Sequence, residues 1–224
     1  MKRFICIGLL LLGIEVQSQS VQSPSKEITL NFSLSENGKP IYNVFYKNKP
    51  VVLQSNLGIK LKADGDLTSN FRIDSIGHKK VNETWQPVLG EQSNIKNNYN
   101  EMIVALSQSS SNKKINIIFR VFDEGISFRY EFPKQDKLNY FIISDELSEF
   151  NLTGNHKVFW LPGDFDTNEY NYEETLFSDI NTDKVDLNNG IGFKDITKKH
   201  AVQTPLMMKA IDGVYLNIFE CPKQ

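Results

Sequence analysis

Between Asp164 and Glu174 the sequence gathers the carboxylates Asp164, Asp166, Glu169, Glu173 and Glu174. Glycoside hydrolysis needs two carboxyl groups flanking one bond, one to protonate the leaving oxygen and one to act as base or nucleophile, so the run is a candidate pair. An acidic loop that only carries solvated charge has the same composition. Phe159-Trp160 precede the run and Tyr170 and Tyr172 lie inside it. Flat aromatic faces pack on sugar rings while carboxylates accept hydroxyl hydrogen bonds, which tilts the segment towards carbohydrate. Aromatics filling a β-sandwich core give the same pattern, and that is their commoner use. His78, His156 and His200 stand far apart without ligand spacing, whereas a zinc site needs three or four convergent ligands. The sequence contains no GxSxG, P-loop or GxGxxG signature of nucleophile or nucleotide chemistry.

The elements that must position these residues are strands. Ile28, Leu30, Phe32 and Leu34 alternate with polar residues from Glu27 to Ser35, so one face is buried and the other wetted. Similar runs are expected at Ile41 to Tyr46, Leu57 to Leu61, Glu101 to Leu106, Ile115 to Phe122, Ile126 to Phe132, Tyr140 to Ile143, Val158 to Leu161, Pro205 to Lys209 and Val214 to Phe219. Asn37-Gly38, Asp123-Glu124-Gly125 and Asp212-Gly213 supply residues that tolerate positive φ, as short hairpin loops require. The reading is an all-β meander of antiparallel strands. Two stretches break the rhythm and are expected to be irregular: Asn82 to Asn100 and Pro162 to Lys199. Long insertions of this kind are usually functional loops or docking surfaces.

Composition closes off other classes. In 224 residues, 25 Lys and Arg balance 27 Asp and Glu for a net charge of −2, which lacks the clustered positive charge that phosphate backbones demand, so no nucleic-acid partner is expected. With 15 Phe, 8 Tyr and 2 Trp there is ample apolar area to offset the entropy of ordering. Lys2-Arg3, the apolar run Phe4 to Ile14 and Ser18 read as a signal peptide over residues 1–18, leaving a domain over residues 19–224 and a periplasmic or secreted product. The apolar run is too short for the roughly 20 residues that cross a bilayer, and no membrane span is expected elsewhere. Cys6 lies inside the signal, so Cys221 is alone in the mature chain and no internal disulfide forms.

One further pattern is specific. Glu83-Thr84-Trp85-Gln86-Pro87-Val88-Leu89-Gly90-Glu91, Asn98-Tyr99-Asn100-Glu101, Phe122-Asp123-Glu124-Gly125-Ile126-Ser127-Phe128-Arg129-Tyr130, Phe159-Trp160-Leu161-Pro162-Gly163-Asp164, Ala201-Val202-Gln203-Thr204-Pro205-Leu206 and Asp212-Gly213-Val214-Tyr215 follow one another in that order. Together they resemble the amino-terminal domain of glycoside hydrolase family 97, over about Val21 to Glu220. The resemblance implies an antiparallel β-super-sandwich of the galactose-mutarotase-like type. It also implies exported α-glucosidases or α-galactosidases in which a separate (β/α)8 barrel holds the acid, the base or nucleophile and most ligands of a catalytic calcium. It carries over one site residue, Glu220, as a calcium ligand after the Asp212-Gly213 turn. The chain stops at Cys221-Pro222-Lys223-Gln224 where the family continues, so a truncated product without catalytic residues is the expectation.

Three functions stay open. The chain is the amino-terminal domain of a family 97 glycosidase, with an α-linked oligosaccharide and the catalytic barrel as partners. Alternatively it is an autonomous carbohydrate-binding protein using the Trp160 to Tyr172 loop, or a mutarotase-like enzyme in which a His and a Glu open a hemiacetal ring.

Overall fold

The computed structural model describes residues 18–63, 65–185 and 199–220. Fourteen strands account for about half of them: β1 (Gln19–Gln22), β2 (Ile28–Leu34), β3 (Pro40–Tyr46), β4 (Lys49–Asn56), β5 (Ile59–Leu61), β6 (Phe71–Trp85), β7 (Ile95–Gln108), β8 (Lys114–Val121), β9 (Ile126–Glu131), β10 (Ile143–Glu146), β11 (Lys157–Trp160), β12 (Glu173–Leu176), β13 (Leu206–Lys209) and β14 (Tyr215–Ile218). Two single 3-10 turns, Phe177–Asp179 and Thr182–Lys184, are the helical content among the described residues. The all-β antiparallel architecture expected from the alternation is the one observed. The chain forms two compact units that divide between Asn151 and Leu152.

The first unit is a sandwich. One sheet runs in the order β1-β2-β3-β4 and the other β6-β7-β8-β9, with β5 and β10 paired separately. The alternation dictates the packing. Met102, Val104 and Leu106 on β7 lie opposite Phe119, Ile117 and Ile115 on β8, so all six fall on one face. They share a core with Leu30, Phe32, Tyr42 and Val44 of the other sheet. Phe119 bridges the layers, its ring 5.8 Å from Phe32 and 6.4 Å from Tyr42. Each fully buried side chain of this kind contributes about 1.5–3 kcal/mol. The outer edge of the second half of β4, Leu53 to Asn56, is covered by the chain itself: the Leu53 N–H donates to the Asn151 carbonyl at 2.7 Å and the Glu149 N–H to the Asn56 carbonyl at 2.9 Å, and just past the strand the Leu147 N–H donates to the Gly58 carbonyl at 2.8 Å. Exposed strand edges invite pairing with other chains, and this segment shortens one.

Several elements depart from the alternation. β4 follows a turn at Lys47 and Asn48, both at positive φ (49° and 63°), which is the geometry of a tight hairpin reached without the usual glycine. At Asn37-Gly38 glycine is obligatory: a Cβ on Gly38 would lie 2.6 Å from the Phe71 backbone. Asn82 to Asn100 is irregular only over residues 86–94, because Asn82 to Trp85 belong to β6 and Ile95 to Asn100 to β7. β6 and β7 pair from Phe71↔Gln108 out to Trp85↔Ile95, so these residues are the far end of one long hairpin. Its β6 side is solvated on both faces over Gly77 to Lys80, which hides the period-two signal. Of Pro162 to Lys199, the described part contains β12 and both 3-10 turns, and residues 186–198 lie outside the described residues.

The second unit is one antiparallel sheet in the order β12-β11-β13-β14. Val158 and Trp160 of β11 point to one face, where they pack with Leu206 and Met208 of β13 and with Ile180.

Candidate functional site

Because side chains alternate across β11, Phe159 stands on the face opposite Val158 and Trp160. The register then builds a row: Phe159 lies opposite Met207, and Met207 opposite Asn217 on β14. Tyr172, just before β12, and Pro205, just before β13, complete a surface cleft of about 300 Å³ lined by Phe159, Tyr172, Pro205, Met207 and Asn217. That volume is at the small end of ligand pockets, which run about 300–1,000 Å³. Tyr172 is 62% exposed, so its ring face is available for stacking. Asn217 supplies one amide that both donates and accepts. The cleft can hold an apolar face and fix one polar group. Its lining contains no titratable acid and base pair.

Trp160 does not form a sugar platform. It is 2% exposed, and its Nε1–H donates to Thr175 Oγ1 at 3.0 Å. A buried indole needs a partner for its N–H, and Thr175 on the neighbouring strand provides it. The aromatic residues of this segment therefore divide: Trp160 and Tyr170 are interior, while Phe159 and Tyr172 line the cleft.

The acidic run divides in the same way. The Asp164 carboxylate accepts the backbone N–H groups of Asp166 and Thr167 at 2.8 and 3.3 Å and the hydroxyl of Tyr170. It closes a loop on itself, as an Asx turn does. Burial pushes the Tyr170 hydroxyl up to about 12, and the adjacent Asp164 charge adds to the effect. Glu174 pairs with Lys157 across β11 and β12. Asp166 and Glu169 are exposed and Glu173 is half-buried. The run is thus an organiser of the loop after β11 and a flank of the sheet.

The histidines do not converge. His78 is exposed on β6. His156 is buried, with Nε2 3.4 Å from Thr153 Oγ1 and Nδ1 without a hydrogen-bond partner. His200 Nδ1 lies 2.7 Å from the Ile180 carbonyl oxygen. A mutarotase-like pairing of His with a carboxylate draws no support from these contacts. Glu220 is exposed, two residues beyond β14. Ca²⁺ takes six to eight oxygens, and among the described residues no group of three or more His, Cys, Asp or Glu could hold a metal. The residues present therefore do not by themselves fit a calcium cage.

Sequence reasoning named Tyr172 and Phe159 but passed over Pro205, Met207 and Asn217. The parity of β11 was available to separate Phe159 from Trp160. Placing Asn217 beside Met207 required the length of the loop between β13 and β14, which closes through Ala210 N–H to the Val214 carbonyl at 2.8 Å.

No helix among the described residues is long and apolar enough to cross a membrane. Comparison with solved structures places the chain beside a glycoside hydrolase family 97 enzyme from Pseudoalteromonas sp. strain K8. In complex with acarbose it is 29% identical, with a TM-score of 0.75 over 88% of this chain and 27% of its own. A variant of that enzyme in complex with panose matches at 29% identity and a TM-score of 0.74 over the same shares. A β-arabinopyranosidase matches at 25% identity and a TM-score of 0.63, over 71% of this chain and 26% of its own. The chain thus spans about a quarter of the length of these enzymes. The family model described as glycosyl-hydrolase 97 N-terminal matches residues 21–223. With that match over nearly the whole sequence, on an antiparallel β fold shared with solved members, the chain belongs to glycoside hydrolase family 97 and corresponds to its amino-terminal domain.

Proposed function

We propose that these residues serve an exported, calcium-dependent family 97 hydrolase acting on α-linked oligosaccharides, as the domain that supports a catalytic portion without performing the bond cleavage. The observation that carries this reading is the match to enzymes in complex with panose and acarbose, which takes up 88% of this chain and 27% of theirs. Most of each enzyme, and room for a carboxylate pair, lies outside the matched segment. Hydrolysis requires two carboxyl groups about 5–10 Å apart across the bond. In the acidic run, Asp164 and Glu174 are already engaged in holding the loop and the sheet. Export rests on residues 1–18, which lie almost wholly outside the described residues, and places the protein in the periplasm or outside the cell.

Calcium enters through Glu220 alone. A carboxylate is a suitable hard ligand, and in this reading Glu220 completes a cage whose other oxygens belong to the catalytic portion. The mature chain should turn over no aryl α-glucoside or α-galactoside; turnover abolished by a substitution within residues 19–220 would overturn the reading. It should bind Ca²⁺ no better than millimolar. A chimera joining it to a family barrel should bind Ca²⁺ more tightly and lose that gain with Glu220→Gln. Micromolar binding by the isolated chain, or a chimera indifferent to Glu220→Gln, would remove Glu220 from the site.

A second reading, autonomous carbohydrate binding, is favoured by one feature, the open cleft with Tyr172 and Phe159 on its wall. Titration of the chain with panose tests it. Binding that survives in the parent and is lost in Tyr172→Ala supports it, and no heat or chemical-shift change at millimolar panose refutes it.

A further inference from the structure

The hairpin of β6 and β7 outgrows its sheet. β8 pairs with β7 only between Asn100 and Ser107, whereas β6 continues to pair with β7 through Val81↔Tyr99, Asn82↔Asn98, Glu83↔Asn97, Thr84↔Lys96 and Trp85↔Ile95. At about 3.4 Å per residue, this ribbon projects roughly 17 Å past its neighbour strand. Its base is fixed. Tyr99 is buried, its ring 4.9 Å from that of Phe122 and under the Arg120 guanidinium at 4.8 Å, while Arg120 also pairs with Glu101 at 2.8 Å. Its stalk is polar, with Asn97 donating to Glu83 across the strands at 2.7 Å. Gln86 donates to Asn94 at 3.2 Å beneath the loop.

The tip inverts this pattern. Trp85 is 49% exposed, Leu89 88% and Val88 98%, so the large apolar side chains sit where the chain's own core cannot cover them. Apolar residues clustered on an outlying loop above a polar stalk mark a contact surface.

Two observations choose the occupant. Three side chains bury far less than the roughly 1,000 Å² that a stable interface between free molecules needs, which speaks against a second copy. A small contact suffices when both parts belong to one polypeptide, because tethering supplies a high effective concentration. Between Glu83 and Lys96 the charges are Glu83, Glu91 and Lys96, so no basic collar draws the tip to anionic lipid. We propose that the tip, through Trp85, Val88 and Leu89, docks into an apolar recess of the catalytic portion carried by family 97 enzymes. This rests on the domain reading above and assigns it a specific anchor.

Hydrogen exchange tests it. The fusion joins residues 19–220 to the remaining three quarters of the Pseudoalteromonas enzyme. Amides of Gln86–Asn94 should exchange rapidly in the isolated chain and at least about tenfold more slowly in the fusion. V88S/L89S should return them to the rapid rate without altering exchange in β7 and β8. Fast exchange in a fusion that hydrolyses panose would overturn the anchor and leave the domain reading standing. Slow exchange without hydrolysis would keep the anchor and remove the domain reading. Should the fusion fail to fold, the same measurement on the intact Pseudoalteromonas enzyme decides, since a fast-exchanging tip on its corresponding hairpin refutes the proposal. Protection of the isolated chain by added anionic vesicles, or by raising its own concentration, would assign the tip to lipid or to a second copy and refute it as well.

Discussion

Replacing Trp160 by alanine distinguishes a binding platform from a core residue. In the structure the indole is interior, packed with Val158, Ile180, Leu206 and Met208 in the small core of the second unit. Truncating a buried Trp to Ala costs about 3–5 kcal/mol through lost transfer energy and the cavity left behind. The lost hydrogen bond adds less than about 1 kcal/mol, because the Thr175 hydroxyl keeps its donation to the Leu176 carbonyl at 2.9 Å. Whole domains are stable by only about 5–15 kcal/mol, so the loss is a large share of what this small core supplies. Hydrogen exchange against urea, read separately for β11 and β13 and for β7 and β8, should show the first pair losing protection at markedly lower denaturant. The second pair, with its own core, serves as the reference. Trp160→Phe, which keeps most of the volume, should lose less. A Trp160→Ala protein with unchanged protection in β11 and β13 would refute the assignment. The same logic means that loss of panose binding in Trp160→Ala would report unfolding rather than a lost contact, and Tyr172→Ala is the informative substitution.

Other outcomes are as definite. Glu149 accepts the Asn56 side-chain and backbone N–H groups at 2.8 and 3.0 Å, which, with a smaller contribution from Asn151, holds its carboxyl below the usual value. Its contribution to stability is therefore present above about pH 4.5 and lost as pH falls through the lower folded value; Glu149→Gln should cost about 1 kcal/mol at pH 7, screening keeping it small, and flatten that acid limb in urea titrations. Burial raises the Tyr130 hydroxyl to about 12 and Tyr42 further; stability they contribute is complete below pH 10 and falls as pH rises towards 12, so an ultraviolet titration showing all tyrosines ionising together near pH 10 in the folded protein would contradict the packing. Amino-terminal sequencing of exported protein should begin at Gln19, and an intact Met1 in the periplasmic or extracellular fraction would refute processing after Ser18.

The sequence by itself determined the class of fold and the family. Period-two alternation in Ile28 to Leu34 and Ile115 to Val121 can satisfy only strands with one buried face, and both stretches became central strands of the sandwich. The ordered motifs from Glu83 to Tyr215 were specific because each constrains a different turn or strand. What the tertiary structure alone decided was the face on which each side chain works and the partner it meets. Trp160 and Phe159 are adjacent aromatics whose roles are opposite, and only the packing of β11 against β13 says which is inside. The run from Asp164 to Glu174 had the composition of a catalytic pair, yet backbone N–H groups and Tyr170 claim the Asp164 carboxylate, a contact that depends on loop closure rather than spacing. β4 escaped notice because Lys47 and Asn48 adopt positive φ without glycine, and all of β6 because a register shift between Ile73 and Ser75 interrupts its alternation and the stretch beyond, solvated on both faces over Gly77 to Lys80, loses the contrast that alternation needs. Local sequence fixes where a strand can form; which neighbours it finds depends on contacts distant in the chain, and those decide what its side chains do.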